Sequence, residues 1–191
     1  MVDRKMTHKA KLSTFSTNGY DKGARQYKIT LWYFVNALVV RAAWNPFMSI
    51  KIALLRLFGA KIGKGCVIKN EVRVKSPWYL TIGDHVWLGE SCWIDNLDRV
   101  EIGNNVCISQ GAMLQTGSHD YTKTDFRYRN SPVIIRDGAW IGARSVVCPG
   151  VTVEENAVLT AGSVATHDLA GDAIYQGNPA EKKRERIITE Q

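Results

Sequence analysis

A six-residue period constrains this chain more than any other feature. Starting at Ile62, aliphatic residues recur at every sixth position as Ile62, Ile68 and Val74, then Ile82, Leu88 and Ile94, then Ile102, Ile108 and Leu114, then Ile135, Ile141 and Val147, then Val153 and Leu159. Ala165, closing the last set, is smaller. Four places after each of these positions stands a small or β-branched residue, among them Cys66, Val86, Ala112, Ala139 and Ser163, with Trp78, Asp98 and Leu169 as exceptions. Helices repeat at about 3.6 residues and strands at about 2, so neither explains this spacing. A triangular coil does: each hexapeptide is a short strand plus a corner, three make one turn, and the inward aliphatics stack in ladders. Glycine follows the aliphatic at Gly63, Gly83, Gly89, Gly103 and Gly142, as a tight corner would favour.

The phase breaks fit the same picture. Val74 to Ile82 and Ile94 to Ile102 are eight residues apart, and Leu114 to Ile135 is twenty-one. Each break follows a third window, so all three fall on one corner of the coil. The expected architecture is all-β, a parallel β-helix of about five coils over residues 61–170, with one long insertion at 120–134 that leaves the coil just after His119. A long excursion from a regular scaffold is a common carrier of function. Residues 171–191 are expected to be a tail.

Residues 1–60 form a basic lead-in. They hold ten Lys or Arg against Asp3 and Asp21, whereas the remainder holds fifteen basic and sixteen acidic residues, so the whole net charge of +7 arises from this segment. A nucleic-acid reader would spread basic and aromatic residues over the patterned region, and none is expected here. Tyr27 to Val40 is nearly all apolar or aromatic, and Asn45-Pro46 offers an N-cap and first-turn proline for a second helix ending at Gly59. The first run is too short for a confident membrane span. Two roles are open for these helices: capping the terminal rung of the solenoid, or laying Trp32, Tyr33, Phe34 and Trp44 in a membrane interface with Lys28, Arg41, Lys51 and Arg56 nearby, a peripheral contact through residues 27–58. The two can coexist. Polar residues continue through Gln26 with no small-residue cleavage site after a short apolar core, so a cytoplasmic location is expected. Cys66, Cys92, Cys107 and Cys148 form no C-x-x-C pair and read as small apolar residues in a reducing compartment; no metal site is expected.

The period, the strings "IDNLDRVEIGNNVCISQGAMLQTGSHDY" and "DGAWIGARSVVCPGVTV", and the closing "YQGNPA" resemble the hexapeptide-repeat acyltransferases, most of all the colanic-acid-type O-acetyltransferases of exopolysaccharide clusters. The resemblance covers about residues 12–186. It implies a left-handed coil, against the usual right-handed crossover, and a homotrimer with each site between two subunits. It also implies acetyl-CoA as acyl donor and a saccharide acceptor, a nucleotide- or lipid-linked sugar.

Transfer of acetyl to a hydroxyl needs a base, donors for the developing oxyanion and a groove that positions the thioester. Of the four histidines only His119 sits where regular coil gives way to a polar insertion, and Gly117-Ser118-His119 matches the family's GxH segment that carries the base. A carbonyl or carboxylate on the other ring nitrogen would fix the tautomer. Asp95 and Asp120 are the candidates, against the plainer readings of a solvated corner and a loop cap. Glu90 sits near the place where related sugar acetyltransferases present an acceptor-contacting polar residue, or is a surface charge. Tyr121, Arg127 and Arg129 in the insertion suit acceptor recognition, of acidic groups or pyrophosphate, or an oligomer contact.

For the coenzyme the resemblance points to Gly142 and Ala143 in "WIGA" and to Ala161 and Gly162 in "TAGS", all of which corner geometry would also demand. Trp140 reads as a wall over the site or as packing against a neighbouring subunit. Thr166, Lys182 and Lys183 are candidates for the nucleotide phosphates or are a solvated terminal run. Three further functions stay open: N-acylation of an amino sugar, which the same base would serve; a non-catalytic sugar-binding scaffold; and a metal-dependent carbonic anhydrase on this fold, which would need three interface histidines where the coil's first turns supply only His85 and His119.

Overall fold

The computed structural model describes residues 8–17 and 19–190; the first residues of the basic lead-in and Gln191 lie outside the described residues. The hexapeptides wind into a three-sided parallel solenoid. One face stacks Lys61–Ile62, Leu80–Ile82, Val100–Ile102, Val133–Ile135 and Thr152–Val153. The next stacks Val67–Ile68, Trp87–Leu88, Cys107–Ile108, Trp140–Ile141, Val158–Leu159 and Ala173–Gly177. The third stacks Arg73–Val74, Trp93–Asp95, Met113–Gln115, Val146–Val147 and Val164–Ala165. Pairing is strictly in register, so Ile82 lies on Ile102 and Leu88 on Ile108. The inward aliphatics are buried apart from the partly covered Ile62, with Ile94, Ile108, Leu114, Ile141 and Leu159 fully so, and the small residues four places on fill the corners between ladders.

The coil is longer than the period suggests. After five complete turns a sixth begins, with Leu169 bridging to Val153 and Ala173–Gly177 pairing on Val158–Leu159. The segment expected as a tail then turns back as Ala180–Glu185, an antiparallel partner that covers the sheet edge. Arg186 ties it down by donating to the carbonyls of Gly138 and Asn156, each at 2.9 Å.

Two helices close the other end: α1 (Gln26–Val35), continued by wider π-type turns to Val40, and α2 (Met48–Leu57). An open coil end exposes strand carbonyls that need donors, and the helices supply donors on every face. Trp32 Nε1 and Asn36 Nδ2 reach Val74 O (3.0 and 3.2 Å), Arg56 reaches Ile62 O (2.8 Å), and Lys51 reaches Lys69 O (3.4 Å) and Asn70 Oδ1 (2.6 Å). Asn45 is not the expected N-cap. It is buried, accepts from the Phe47 amide (3.0 Å) and donates to Val39 O (3.1 Å), so the second helix begins after Phe47. The outer surfaces of both helices remain apolar, with Tyr33, Phe34, Trp44, Phe47 and Leu57 exposed. Among the described residues no helix is long and apolar enough to cross a membrane.

Candidate active site

The insertion after the third face is a hairpin, not an open loop. A Cβ on Gly117 would strike the Leu97 side chain, so glycine lets the backbone leave the coil across Leu97. Beyond it the Arg129 amide donates to Ser118 O and the Asp120 amide to Arg127 O, both at 2.8 Å, and His119 faces Tyr128 as an antiparallel bridge. The hairpin reverses at Asp120 to Phe126. Asp120 Oδ1 accepts from the Thr122 amide at 3.0 Å and the Thr122 hydroxyl at 2.5 Å, and Phe126 sits at a left-handed φ of 50°. A bulky residue seldom adopts that conformation, and where it does the surroundings enforce it. The turn built on it brings Phe126 O to 2.7 Å from His119 Nδ1.

That contact fixes the tautomer of the ring. A carbonyl can only accept, so Nδ1 carries the hydrogen and the neutral imidazole keeps its lone pair on Nε2. The ring is clamped as well as hydrogen-bonded. It stacks on Phe126 (centroids 4.3 Å, planes 9° apart) and Tyr128 (5.0 Å), with Phe15 tilted against it at 5.7 Å. Phe15 belongs to a segment the sequence leaves as a polar lead-in. Here that segment is a strap: the Lys11 amide donates to Thr124 O (2.7 Å), Phe15 meets Tyr128 edge-on (5.3 Å), and the Tyr20 hydroxyl donates to Leu97 O (3.2 Å). No sequence signal beyond isolated aromatics marks it.

His119 opens on a cavity of about 420 Å³ walled by Lys75, Asp95, Gln115, Tyr121, Phe126 and Tyr128. Neither expected carboxylate orients the imidazole. Asp95 is ion-paired to Lys75 at 2.9 Å in the cavity wall. Asp120 is spent on its own turn, where the Thr122 hydroxyl holds its carboxyl below the usual carboxylate range. The orienting group is the Phe126 carbonyl; the sequence leaves a carbonyl open but does not say whose, because a backbone oxygen has no residue-type signature. Tyr121 lines the cavity and is otherwise exposed. Arg127 is held by both oxygens of Asp125 (3.1 and 2.7 Å) and faces a neighbouring cavity, and Arg129 contributes its amide to the hairpin. Glu90 stands elsewhere, on the corner after Trp87–Leu88, beside Gly89 and Gln110.

The small-residue positions gather on a different side of the coil. Trp140, Gly142, Ala143, Thr160 and Ala161 line a groove of about 310 Å³, which meets the Glu90 cavity at Ser109 and Gln110. Trp140 Nε1 donates to Ser109 Oγ at 2.8 Å, fixing the indole as one wall. A Cβ on Gly142 would run into the backbone of Leu159, Thr160 and Ala161, so glycine here serves the close stacking of successive coils. The Ala143 and Ala161 amides have no protein acceptor among the described residues, which leaves two donors along a largely apolar groove. Gly162 donates its amide to Ala143 O (2.8 Å). Thr166 lies outside the groove, bonded to His167 Nδ1 at 2.9 Å, and Lys182 and Lys183 are paired with Glu185 (2.6 Å) and Glu181 (3.2 Å) on the closing hairpin. The chain therefore brings the His119 cavity and the groove to separate corners. Among the described residues no group of three His, Cys, Asp or Glu gathers as a metal site.

Comparison with known proteins bears on family and fold. Residues 132–167 match the family model described as bacterial transferase hexapeptide (six repeats). Over 181 residues the chain is 38% identical to the Escherichia coli (strain K12) protein assigned to colanic acid biosynthesis as the acetyltransferase WcaF, covering 94% of this chain and 98% of that one. It is 33% identical over 122 residues to the galactoside O-acetyltransferase of the same organism, covering 59% and 60% of the two chains. The acetyl-coenzyme A complex of a hexapeptide-repeat acetyltransferase from Vibrio cholerae shares the fold, with a TM-score of 0.77 at 22% identity over 91% of this chain and 93% of that one.

Proposed function

The chain belongs to the hexapeptide-repeat acetyltransferases, and from that premise we propose that it moves acetyl from acetyl-CoA directly to a hydroxyl of a saccharide, with His119 as general base. One observation carries the reading: His119 Nδ1 donates to Phe126 O at 2.7 Å, which leaves Nε2 free to accept a proton at the mouth of a cavity of about 420 Å³. The acceptor hydroxyl gives its proton to Nε2 as its oxygen bonds to the thioester carbon. When the carbon–sulfur bond breaks, the imidazolium returns the proton to the departing thiolate, so no covalent enzyme intermediate is needed. The groove beside Trp140 suits the pantetheine arm, with the Ala143 and Ala161 amides as donors along it. Base and groove lie on separate corners of one coil, which supports a site completed between subunits, as in the trimer the family implies. The acceptor is a nucleotide- or lipid-linked sugar of surface-polysaccharide synthesis, in keeping with the relative in colanic acid biosynthesis.

The test is free-thiol release from acetyl-CoA by wild type and His119→Ala, with nucleotide sugars, oligosaccharides, amino sugars and membrane extracts as acceptors. Acceptor-dependent release that vanishes in the variant is expected. Undiminished release in His119→Ala would remove His119 from the reaction, and a product acetylated only on nitrogen would replace the hydroxyl with an amine.

A further inference from the structure

The two short breaks in the six-residue period have no part in the chemistry above, yet they shape the corner beside His119. The extra residues form a short turn at Pro77–Tyr79 and the excursion at Leu97 and Asp98. Buried polar side chains spaced one coil apart lock these widened corners together. The Ser76 amide donates to Asn96 Oδ1 (2.9 Å), Asn96 Nδ2 to Ser76 O (2.6 Å) and the Asp98 amide to Thr116 Oγ1 (2.9 Å), with Asn96 and Thr116 both at 0% exposure. Fully satisfied buried networks of this kind make rigid walls. Over them, and under the N-terminal strap, lies an open cavity of about 360 Å³ walled by Tyr20, Asp21, Tyr79, Asp98 and Arg127. Leu97 and Tyr128 line both this cavity and the one that holds His119, so the two adjoin.

Its chemistry is selective. Asp21 gives one oxygen to the Gly23 amide (2.8 Å) and Asp98 one to the Arg99 amide (2.7 Å), leaving each a second oxygen to accept a hydroxyl hydrogen. The guanidinium of Arg127 is already matched by Asp125, so the cavity offers carboxylates with no unneutralised cation in its lining and disfavours phosphate or a uronate. Tyr20, Tyr79 and Tyr128 add apolar ring surface, and burial pushes the Tyr20 phenol, whose hydrogen goes to Leu97 O, up to about 12. Aromatic surface with convergent acceptors, at a volume within the usual range of about 300–1,000 Å³ for small-molecule sites, suits a sugar ring.

We propose that this cavity is a second saccharide subsite, holding a neutral, hydroxyl-rich sugar joined to the one that receives acetyl, so that the acceptor is an oligosaccharide unit and not a single sugar. The proposal rests on the His119 cavity being the acceptor site, and it replaces the expectation that this region favours acidic groups.

The experiment compares glucose and galactose with cellobiose and lactose as acceptors, and with cellobiouronic acid as an acidic probe, using the full chain in the thiol-release assay. The expected result is a kcat/KM advantage of about tenfold for a neutral disaccharide over its monosaccharide. Asp98→Asn and, on the opposite wall, Asp21→Asn should each erase that advantage by raising KM while leaving the monosaccharide within about twofold. Equal use of mono- and disaccharide, an equal fall for both in the variants, or preference for the uronate would overturn the subsite. Saturation-transfer NMR with the same sugars decides the matter without turnover: signal on both rings of a disaccharide, lost from one ring in Asp98→Asn, supports it, and absence of binding by every neutral disaccharide overturns it. Failure of the acetyl-transfer reading looks different, because disaccharide binding would persist while thiol release is absent or indifferent to His119→Ala.

Discussion

Replacing Phe126 separates the two things this residue does for His119. Its ring stacks on the imidazole at 4.3 Å, and its backbone, at φ 50°, carries the carbonyl that fixes the tautomer. Phe126→Ala removes the ring and keeps the left-handed penalty. Half-burial of a phenylalanine contributes about 1–1.5 kcal/mol and an aromatic pair about 0.5–1.5 kcal/mol more, so a loss of about 1.5–3 kcal/mol of stability is expected. Phe126→Gly loses the same ring but relieves about 1–2 kcal/mol of left-handed strain, against about 0.5–1 kcal/mol of added chain entropy. Glycine should therefore be the more stable variant, by up to about 1.5 kcal/mol, which urea unfolding at fixed protein concentration will show. Both variants free the imidazole on one face, and a loss of about 1.4 kcal/mol of transition-state positioning lowers kcat about tenfold, with KM for acetyl-CoA unchanged because the groove is remote. Unaltered kcat in both would refute the clamp, and an alanine variant more stable than the glycine one would refute the strain argument.

Two further predictions concern the helical end. Burial lowers the Lys51 pKa below its ordinary 10.5, so the unfolded chain holds that proton to higher pH than the folded one; this contribution to stability rises with pH between the lowered value and 10.5. Unfolding midpoints of wild type relative to Lys51→Met should accordingly climb from pH 7 towards pH 10, and a gap that stays flat or falls would contradict a desolvated lysine at the coil end. The exposed apolar faces of the two helices, next to Lys28 and Arg41, are expected to bind vesicles containing anionic lipid. Sedimentation of wild type with such vesicles, weakened in Phe34→Ser with Trp44→Ser while thermal stability is retained, is the expected outcome; no difference between the two proteins would assign that surface to something other than a bilayer.

The sequence by itself determined the solenoid. A ladder from Ile82 through Ile102 to Ile135 is written as a strict spacing, because each coil repeats the same local requirement for an inward aliphatic and a small corner residue. The same regularity made the breaks visible, and with them the corner and His119 at the root of the insertion. The coil count came out short because Leu169 follows Ala165 by only four residues, so Leu169 and Tyr175 continue the ladders out of the earlier phase.

Only the tertiary structure decided how the site is furnished. The oxygen on His119 Nδ1 comes from Phe126, seven residues away, and its position depends on an unusual φ that no residue type announces. Phe15 and Tyr20 reach His119 and Leu97 from a segment about a hundred or eighty residues earlier, through packing and single hydrogen bonds with no period to betray them. Asp95 and Asp120 carry the right chemistry near the right place, yet geometry gives one to Lys75 and the other to Thr122. Periodic burial is a local property repeated along the chain and is legible in one dimension. Which side chain meets which across the corner depends on hydrogen-bond directions and turn geometry, and these are settled only once the coil has closed.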